Sequence, residues 1–190
     1  NGNGNTVSGD GGGTGIFLDG DRGIDSLIEN IEFEDLELGI EVFETRRALI
    51  RNVVVRDSEI GLDQGNGTNS TVLRNNTFDN SPVRVDESEG FVIIGNEFLN
   101  SDRFGLEFQD DSGAVILENG ISGNDGPGIA VEFSSDIQFS LNEITDNGGS
   151  GLVLDESEDN IVNFNEITDN GGSGVRIIDD DSTDNRIFDN

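Results

Sequence analysis

Apolar positions recur along the chain in short alternating runs rather than at helical spacing. Many runs begin with a glycine and an aliphatic residue, and apolar residues then alternate with variable ones, as in Ile40/Val42 and Leu152/Leu154. Alternation with period two is typical of a strand that turns one face inward. No segment keeps a 3.6-residue period, and the chain contains 27 glycines. The pattern therefore predicts an all-β protein made of short strands.

The strand pattern repeats about every 23 residues. The ten residues NEITDNGGSG occupy 142–151 and again 165–174, and the glycine-aliphatic pair recurs at steps of 21 to 24 residues, with Pro82-Val83 in one place. Repeats of this length without heptads indicate a solenoid. Three short strands per repeat, joined by Gly, Asn and Asp corners, predict a parallel β-helix. We expect about eight rungs of 20–25 residues and three parallel sheets.

Two further series keep step with the glycines. We expect the asparagines to form left-handed corners and to donate hydrogen bonds from rung to rung. They are Asn5, Asn30, Asn52, Asn76, Asn96, Asn119, Asn142, Asn165 and Asn190. The residue three positions earlier is apolar from the second asparagine onward, which predicts one buried, stacked row. That row is Leu27, Leu49, Leu73, Ile93, Ile116, Phe139, Val162 and Ile187.

The repeat N-x-[IVF]-x-x-[ND]-x-x-x-G-[ILV] resembles that of right-handed parallel β-helix proteins of the pectin-lyase-like superfamily. The resemblance covers nearly the whole chain and implies a right-handed, single-stranded β-helix. Many functions share this fold, so the repeat predicts shape rather than chemistry. Residues 1–190 are expected to form a single β-helix segment of a longer solenoid, because the first and last asparagines of the series stand at the same phase of the rung.

Charge is the outlying feature of the composition. Forty acidic residues stand against ten basic ones, all of them arginines, for a formal net charge of −30. Acid-rich, lysine-free composition resembles secreted proteins of extreme halophiles, in which salt screens self-repulsion; an acidic extracellular protein of an ordinary bacterium is the alternative. Both predict an extracellular or cell-surface location. Such a polyanion should not bind nucleic acid, and no apolar run is long enough for membrane insertion.

One outward column of the glycine-led strands is charged. The outward positions of these strands predict that Glu41, Asp63, Arg84 and Glu107 stack on one face. We interpret the stack as a salt-bridged ladder; the alternative is a carboxylate pair with an arginine for sugar-acid chemistry. Resemblance to polygalacturonase-like or alginate epimerase-like enzymes implies a catalytic His with Lys or Tyr, and this chain has none of the three. Copper-binding β-helix proteins of the periplasm have a similar repeat, but the soft ligands His, Cys and Met are absent.

Acidic loops follow the glycine-led strands, for example DESEG at 86–90 and DDDSTDN at 179–185. Clusters of carboxylate oxygens suit Ca²⁺ or Mg²⁺. The best candidate metal site consists of Asp179, Asp180, Asp181 and Asp184.

Three N-x-[ST] acceptors fall within ten residues, which raises the possibility of a glycosylated surface loop. They are Asn66, Asn69 and Asn75.

The sequence favours a non-enzymatic, extracellular rod that presents a surface to a polysaccharide, a cell envelope or copies of itself. The competing hypothesis is a polysaccharide lyase or glycoside hydrolase that uses outward carboxylates. A cleft between outward loops would favour the enzyme, whereas uniformly short loops favour the rod.

Overall fold

The computed structural model describes residues 5–20, 25–45, 47–65 and 69–190. All 24 regular elements in these ranges are β-strands, which confirms the all-β class. The described residues contain no helix that is long and apolar enough to cross a membrane. The first four rungs contain β1 (Asn5–Ser8), β2 (Thr14–Asp19), β3 (Asp25–Glu29), β4 (Ile31–Glu34), β5 (Leu38–Phe43), β6 (Arg47–Arg51), β7 (Val54–Arg56), β8 (Ile60–Gly65), β9 (Val72–Arg74), β10 (Thr77–Asp79), β11 (Val83–Asp86) and β12 (Val92–Ile94). The next four contain β13 (Glu97–Leu99), β14 (Leu106–Gln109), β15 (Val115–Leu117), β16 (Gly120–Ser122), β17 (Ile129–Glu132), β18 (Gln138–Ser140), β19 (Glu143–Thr145), β20 (Leu152–Asp155), β21 (Ile161–Asn163), β22 (Glu166–Thr168), β23 (Val175–Ile178) and β24 (Arg186–Phe188).

Each rung gives one strand to each of three eight-stranded sheets. Sheet A runs from β1 to β22, sheet B from β2 to β23 and sheet C from β3 to β24, and every neighbour in a sheet is three strands away along the chain. All the strand pairs are parallel, as in β11 beside β14. The predicted solenoid of eight coils and three parallel sheets is confirmed.

The core is a set of apolar columns, one on the inner face of each sheet. On sheet A the column includes Phe78 and Phe98, whose rings stack with centroids 5.5 Å apart. On sheet B it includes Val83 and Leu106, which are fully buried neighbours. Because the side chains of a strand alternate between its two faces, the period-two pattern of the sequence fills these columns.

The predicted buried row lies on the inner face of sheet C, with corrections at its ends. Leu73, Ile93, Ile116, Phe139 and Val162 are fully buried and adjacent in register. The prediction was wrong for Leu27 and Leu49, which point outward. Ile28 and Ile50 occupy the inward positions instead, and Ile50 pairs with Leu73. Ile187 is in register with Val162 but is 42% exposed on the last rung.

The asparagine ladder explains that shift. Buried Asn76, Asn96, Asn119, Asn142 and Asn165 each use the side-chain amide to join the rungs on either side. In the second and third rungs the ladder position holds Ile31 and Val53, and the Val53 N–H donates to Asn76 Oδ1.

Asn30 and Asn52 stand one position earlier, at the corner itself, with φ of 54° and 51°. Counting back three residues from these two asparagines therefore reaches the outer face. The same corner position holds Asn75, Glu118, Leu141 and Phe164 in later rungs, all with positive φ. The left-handed residue is thus the one before the ladder asparagine, which corrects the predicted role of the series.

The repeated glycine is needed for close packing between rungs. A Cβ on Gly39 would lie 2.6 Å from the carbonyl oxygen of Gly61, and one on Gly151 would lie 2.7 Å from that of Gly174. Neither glycine has a left-handed φ. The position therefore selects glycine because a side chain would push adjacent rungs apart.

Candidate functional site

The outer face of sheet B presents the predicted charged column. Glu41 pairs in register with Asp63, Asp63 with Arg84, and Arg84 with Glu107. All four side chains are half-buried on the sheet surface. The strands bring these residues together because alternate positions of parallel, in-register strands share one face.

Arg84 neutralises the centre of this column. Its Nε donates to Glu107 Oε2 at 3.1 Å. Burial raises the pKa of Glu107, and the hydrogen bond and charge of Arg84 partly offset that rise. Burial also raises the pKa of Asp63, while the charge of Arg84 lowers it and that of Asp86 raises it further. Among the described residues the column thus contains one salt bridge, Arg84–Glu107, and two partly desolvated carboxyls, Asp63 and Glu107.

The column lacks the enclosure that sugar chemistry uses. Asp63 and Glu107 are two rungs apart, about 9.6 Å by strand spacing, near the upper limit for two glycosidase carboxyls. The apolar indentation beside Arg84, between Pro82 and Phe104, has no room for a water molecule. The geometry therefore holds carboxylates on an open face rather than in a cleft.

A shallow depression of about 310 Å³ lies on the outer face of sheet A. It forms where Gly120 interrupts the outward column between Glu97 and Glu143. The Glu97 carboxylate fills part of the gap, since a Cβ on Gly120 would lie 2.6 Å from its Oε2. The volume is at the lower end for ligand sites, and its lining is mostly polar and acidic.

The predicted metal-site residues are exposed and do not converge. Asp180 N–H donates to Asp179 Oδ1 at 2.9 Å, so this carboxylate caps its own turn. Across the described part of the chain, no group of three or more acidic side chains is placed to hold a metal ion, and this includes Asp179, Asp180, Asp181 and Asp184. Binding of Ca²⁺ or Mg²⁺ at 179–184 stays a prediction.

Cations should nevertheless stabilise the protein. Parallel stacking places like charges one rung apart, as at Glu143 beside Glu166, and the whole chain carries a net charge of −30. We expect the melting temperature to rise steeply with NaCl because the Debye length falls from about 10 Å at 0.1 M to about 3 Å at 1 M.

Millimolar Ca²⁺ or Mg²⁺ should raise the melting temperature further than NaCl of equal ionic strength. Melting curves in matched salts measure both effects. A flat response to NaCl would contradict the role of self-repulsion, and equal responses to both salts would reduce the effect to screening.

Of the predicted glycosylation acceptors, Asn66 lies outside the described residues. Asn69 and Asn75 are exposed, and Asn75 sits at a left-handed corner with φ of 53°. Both side chains are accessible for modification, which stays a prediction.

A buried carboxyl that sequence reasoning did not single out lies at the corner after sheet B. Asp111 is 3% exposed and occupies one position of a ladder otherwise made of serines, namely Ser88, Ser134, Ser157 and Ser182. Its oxygens accept from the N–H groups of Ser88 at 2.7 Å and Gln109 at 3.0 Å. Burial raises the pKa of Asp111 to about 7 despite these two bonds, and the charges of Asp86 and Asp110 add to the rise. The serine spacing of 23 to 25 residues was the signal that could have found it.

Solved structures with a similar fold include an alginate epimerase, a mannuronan epimerase module and a bacteriophage tailspike protein. A variant of the periplasmic alginate epimerase AlgG is 21% identical, with a TM-score of 0.72 over 82% of this chain and 39% of its own. The A-module of Azotobacter vinelandii mannuronan C-5 epimerase AlgE6 is 14% identical, with a TM-score of 0.56 over 95% of this chain and 68% of its own. Tailspike protein 3 of bacteriophage CBA120 is 12% identical, with a TM-score of 0.56 over 86% of this chain and 35% of its own. These similarities show the fold alone, which confirms the predicted likeness to pectin-lyase-like β-helices.

No curated protein matches the sequence. A family model does match, over residues 4–190, and it is the model of the periplasmic copper-binding protein NosD. Since the match spans nearly all of the repeat, the chain belongs to the NosD family of periplasmic β-helix proteins.

Proposed function

We propose that this chain is a non-catalytic β-helix rod that binds a polysaccharide or cell-envelope surface outside the cytoplasm. The observation that carries the proposal is the unbroken register of all three sheets over eight rungs. The longest connection between strands, 179–185, has seven residues. In the part of the chain that the structure describes, connections this short build no wall over the charged column, so its outer face is flat and open to an extended partner.

The comparisons support a polymeric ligand without identifying it. The names of the two epimerases refer to alginate and mannuronan, and the family is described as periplasmic. A periplasmic family agrees at a coarse level with the predicted extracellular or cell-surface location. Because the rod carries a net charge of −30, an uncharged polysaccharide is the favoured ligand, and a polyuronate would need bridging cations.

Copper binding does not fit the residues of this chain. His, Cys and Met, the side chains that bind copper through nitrogen or sulfur, do not occur in the sequence. Carboxylates remain, but those described do not form a group of three around one point. We therefore assign no copper-dependent role to this segment.

A second candidate function is carboxylate-dependent cleavage of a polysaccharide. The observation in its favour is that burial raises the pKa of both Asp63 and Glu107 on the outer face of sheet B. A raised pKa is what a general acid needs. The bond from Arg84 to Glu107 and the lack of a cleft favour the rod.

A binding and cleavage assay separates these functions. We expect affinity electrophoresis to show retardation by one or more uncharged polysaccharides, with no new reducing ends and no unsaturated products. Product that disappears in both Asp63→Asn and Glu107→Gln would establish the enzyme instead. Absence of retardation across neutral polymers, and across polyuronates with Ca²⁺, would contradict the binding role.

A further inference from the structure

We propose that the outer face of sheet C is a self-association surface through which two copies of this chain pair with their rod axes antiparallel. This surface, the sheet C face, consists of the outward residues of β3, β6, β9, β12, β15, β18, β21 and β24. The inference goes beyond polysaccharide binding, and its test does not depend on it.

The sheet C face differs in charge from the other two. Its described strand residues include two acidic side chains and four arginines: Asp25, Glu29, Arg47, Arg51, Arg74 and Arg186. The outer face of sheet A has one arginine, Arg56, against Glu32, Glu34, Asp79, Glu97, Glu143 and Glu166. That of sheet B has Arg84 and Arg176 against Asp19, Glu41, Asp63, Asp86, Glu107, Glu132 and Asp155. In a chain of net charge −30, the sheet C face carries a net positive charge.

The sheet C face is also apolar along most of its length. Its central outward columns are in register and half-buried: Leu49, Val72, Val92 and Val115, with Ile94 beside Leu117. At its ends Leu27 is 49% exposed and Phe188 is 38% exposed. The corner residues Leu141 and Phe164, each more than half exposed, extend the apolar surface past the strand ends. Contiguous exposed apolar surface of this kind marks interaction sites.

The arginines leave this face nearly free of repulsion. Arg47 bonds Asp25 at 2.8 Å and Arg51 bonds Glu29 at 2.6 Å, so the two acidic side chains are neutralised within one copy. Arg186 lies over the ring of Phe188. A partner that approaches these strands therefore meets apolar side chains, guanidinium groups and two carboxylates that are already paired with arginine.

A second copy is the partner that this charge distribution selects. Contact between two copies through sheet A or sheet B would set acidic columns against each other. Contact through the sheet C face buries apolar columns and keeps the acidic faces in solvent on the outside of the pair. The self-complementary contact of a two-fold dimer needs one such surface.

The arrangement of charges favours antiparallel axes. A parallel pair would place the arginines of β6 and β9 near those of the partner. In an antiparallel pair, β3 lies across from β24, so Arg186 lies opposite Leu27, and Phe188 lies opposite Glu29. The β6 arginines then lie opposite β21, whose outward residues are Ile161 and Asn163. Among the described strands, no arginine of one copy then faces an arginine of the other.

The area predicts a weak pair that depends on salt. Eight strands span about 34 Å, and strands of three to five residues are about 10–16 Å long. The contact would bury roughly 350–550 Å² per copy, below the size of stable interfaces. We expect a dissociation constant of tens of micromolar or weaker, falling at least tenfold between 0.1 M and 1 M NaCl as the remaining repulsion is screened.

Sedimentation equilibrium at both salt concentrations tests the proposal. The variant Val92→Glu/Val115→Glu puts two charges at the centre of the sheet C face and should raise the dissociation constant at least tenfold. The matched control Val54→Glu/Val153→Glu adds the same charges to the outer faces of sheets A and B and should pair like the unmodified protein. Val92→Thr/Val115→Thr keeps β-branched residues and should weaken pairing to a smaller extent if the glutamate variant fails to fold.

Three outcomes would overturn the proposal. One is a monomer at every concentration and salt. Another is equal weakening of pairing by the two glutamate variants. The third is that the unmodified protein is a monomer and that Val92→Glu/Val115→Glu is no longer retarded by polysaccharide, because the sheet C face would then bind the polysaccharide rather than a second copy.

Cross-linking of introduced cysteines with a short bis-maleimide tests the orientation, since the chain has no cysteine. The two-fold axis of an antiparallel pair passes between β12 and β15, so the two Ile94→Cys residues would be about one rung apart along the rods and about 10 Å apart across the sheets, and the reagent should join two copies. Ile161→Cys lies on β21, which would be about 24 Å from its equivalent in the antiparallel pair, and should not cross-link. Cross-linking of both variants would show a parallel pair, in which every rung faces its own equivalent, and would overturn the antiparallel assignment.

Discussion

Asn142→Ala should destabilise the protein by about 3 kcal/mol, because it leaves several buried polar groups without partners. The Asn142 amide donates to Ile116 O and Asn165 Oδ1, both at 2.9 Å. Its Oδ1 accepts from the backbone N–H and the side-chain amide of Asn119, both at 3.0 Å. The residue is 1% exposed, so water cannot replace these bonds. Denaturant titration measures the loss, which for a chain of this size corresponds to roughly 6–12 °C in melting temperature.

Asn163→Ala is the matched control for that prediction. Asn163 lies on the outer face of sheet C, and its buried side-chain oxygen has no hydrogen-bond partner among the described residues. We expect a change within about 0.5 kcal/mol, as for substitutions that remove no satisfied bond. If Asn142→Ala costs less than about 1 kcal/mol, or no more than Asn163→Ala, the ladder does not contribute as the geometry indicates.

Asp111→Ser should stabilise the protein at neutral pH by about 2–4 kcal/mol and reduce its pH dependence. Burial raises the pKa of Asp111 from about 3.8 to about 7 in the folded state. The folded state therefore holds this proton more tightly than the unfolded state, so the contribution of Asp111 to stability is fully present below about pH 4 and is lost as the pH rises through about 7. Serine is the residue of the equivalent rungs, and its hydroxyl can accept the Ser88 N–H bond as Ser134 Oγ accepts that of Asp111.

The measurement is the free energy of unfolding from pH 4 to 8 for both proteins. The advantage of Asp111→Ser should grow from near zero or negative at pH 4 to its full value near pH 8. Asp110→Asn removes one of the charges that raise the pKa of Asp111 and should give a smaller difference with the same direction of pH dependence. A pH-independent difference for Asp111→Ser would show that the buried carboxyl does not titrate as its surroundings indicate.

Much of the architecture was predictable because the repeat is nearly regular. A 23-residue period and alternating apolar residues determine which side chains of sheet C face inward in rungs three to seven, and the register confirms them. The prediction was wrong by one residue at Leu27 and Leu49 because asparagine suits both the left-handed corner and the ladder. Spacing alone cannot distinguish these two places, whereas Asn75 and Asn76 occupy both in a single rung.

The candidate site was predictable in its position and less so in its electrostatics. Register places Glu41, Asp63, Arg84 and Glu107 in one column, as period two implies. That Arg84 bonds Glu107 depends on side-chain conformation, which the sequence does not specify. The burial of Asp111 was not predicted because the segment QDDSG at 109–113 resembles an ordinary acidic surface loop. It can be recognised only when the repeats are aligned so that Asp111 falls at the position of the buried serines.

The asparagine ladder has a direction. In every step from Asn76 to Asn190 the amide nitrogen of one rung donates to the amide oxygen of the next, and the shorter series from Asn124 to Asn170 runs the same way. The amide dipoles therefore align head to tail along the rod axis, with their positive ends toward the C-terminal rungs. Hydrogen bonds in such a chain polarise one another and strengthen together. The rod is thus electrically polar along its length, independently of the charges on its surface, and a break at the middle of the ladder would divide one long dipole array into two short ones.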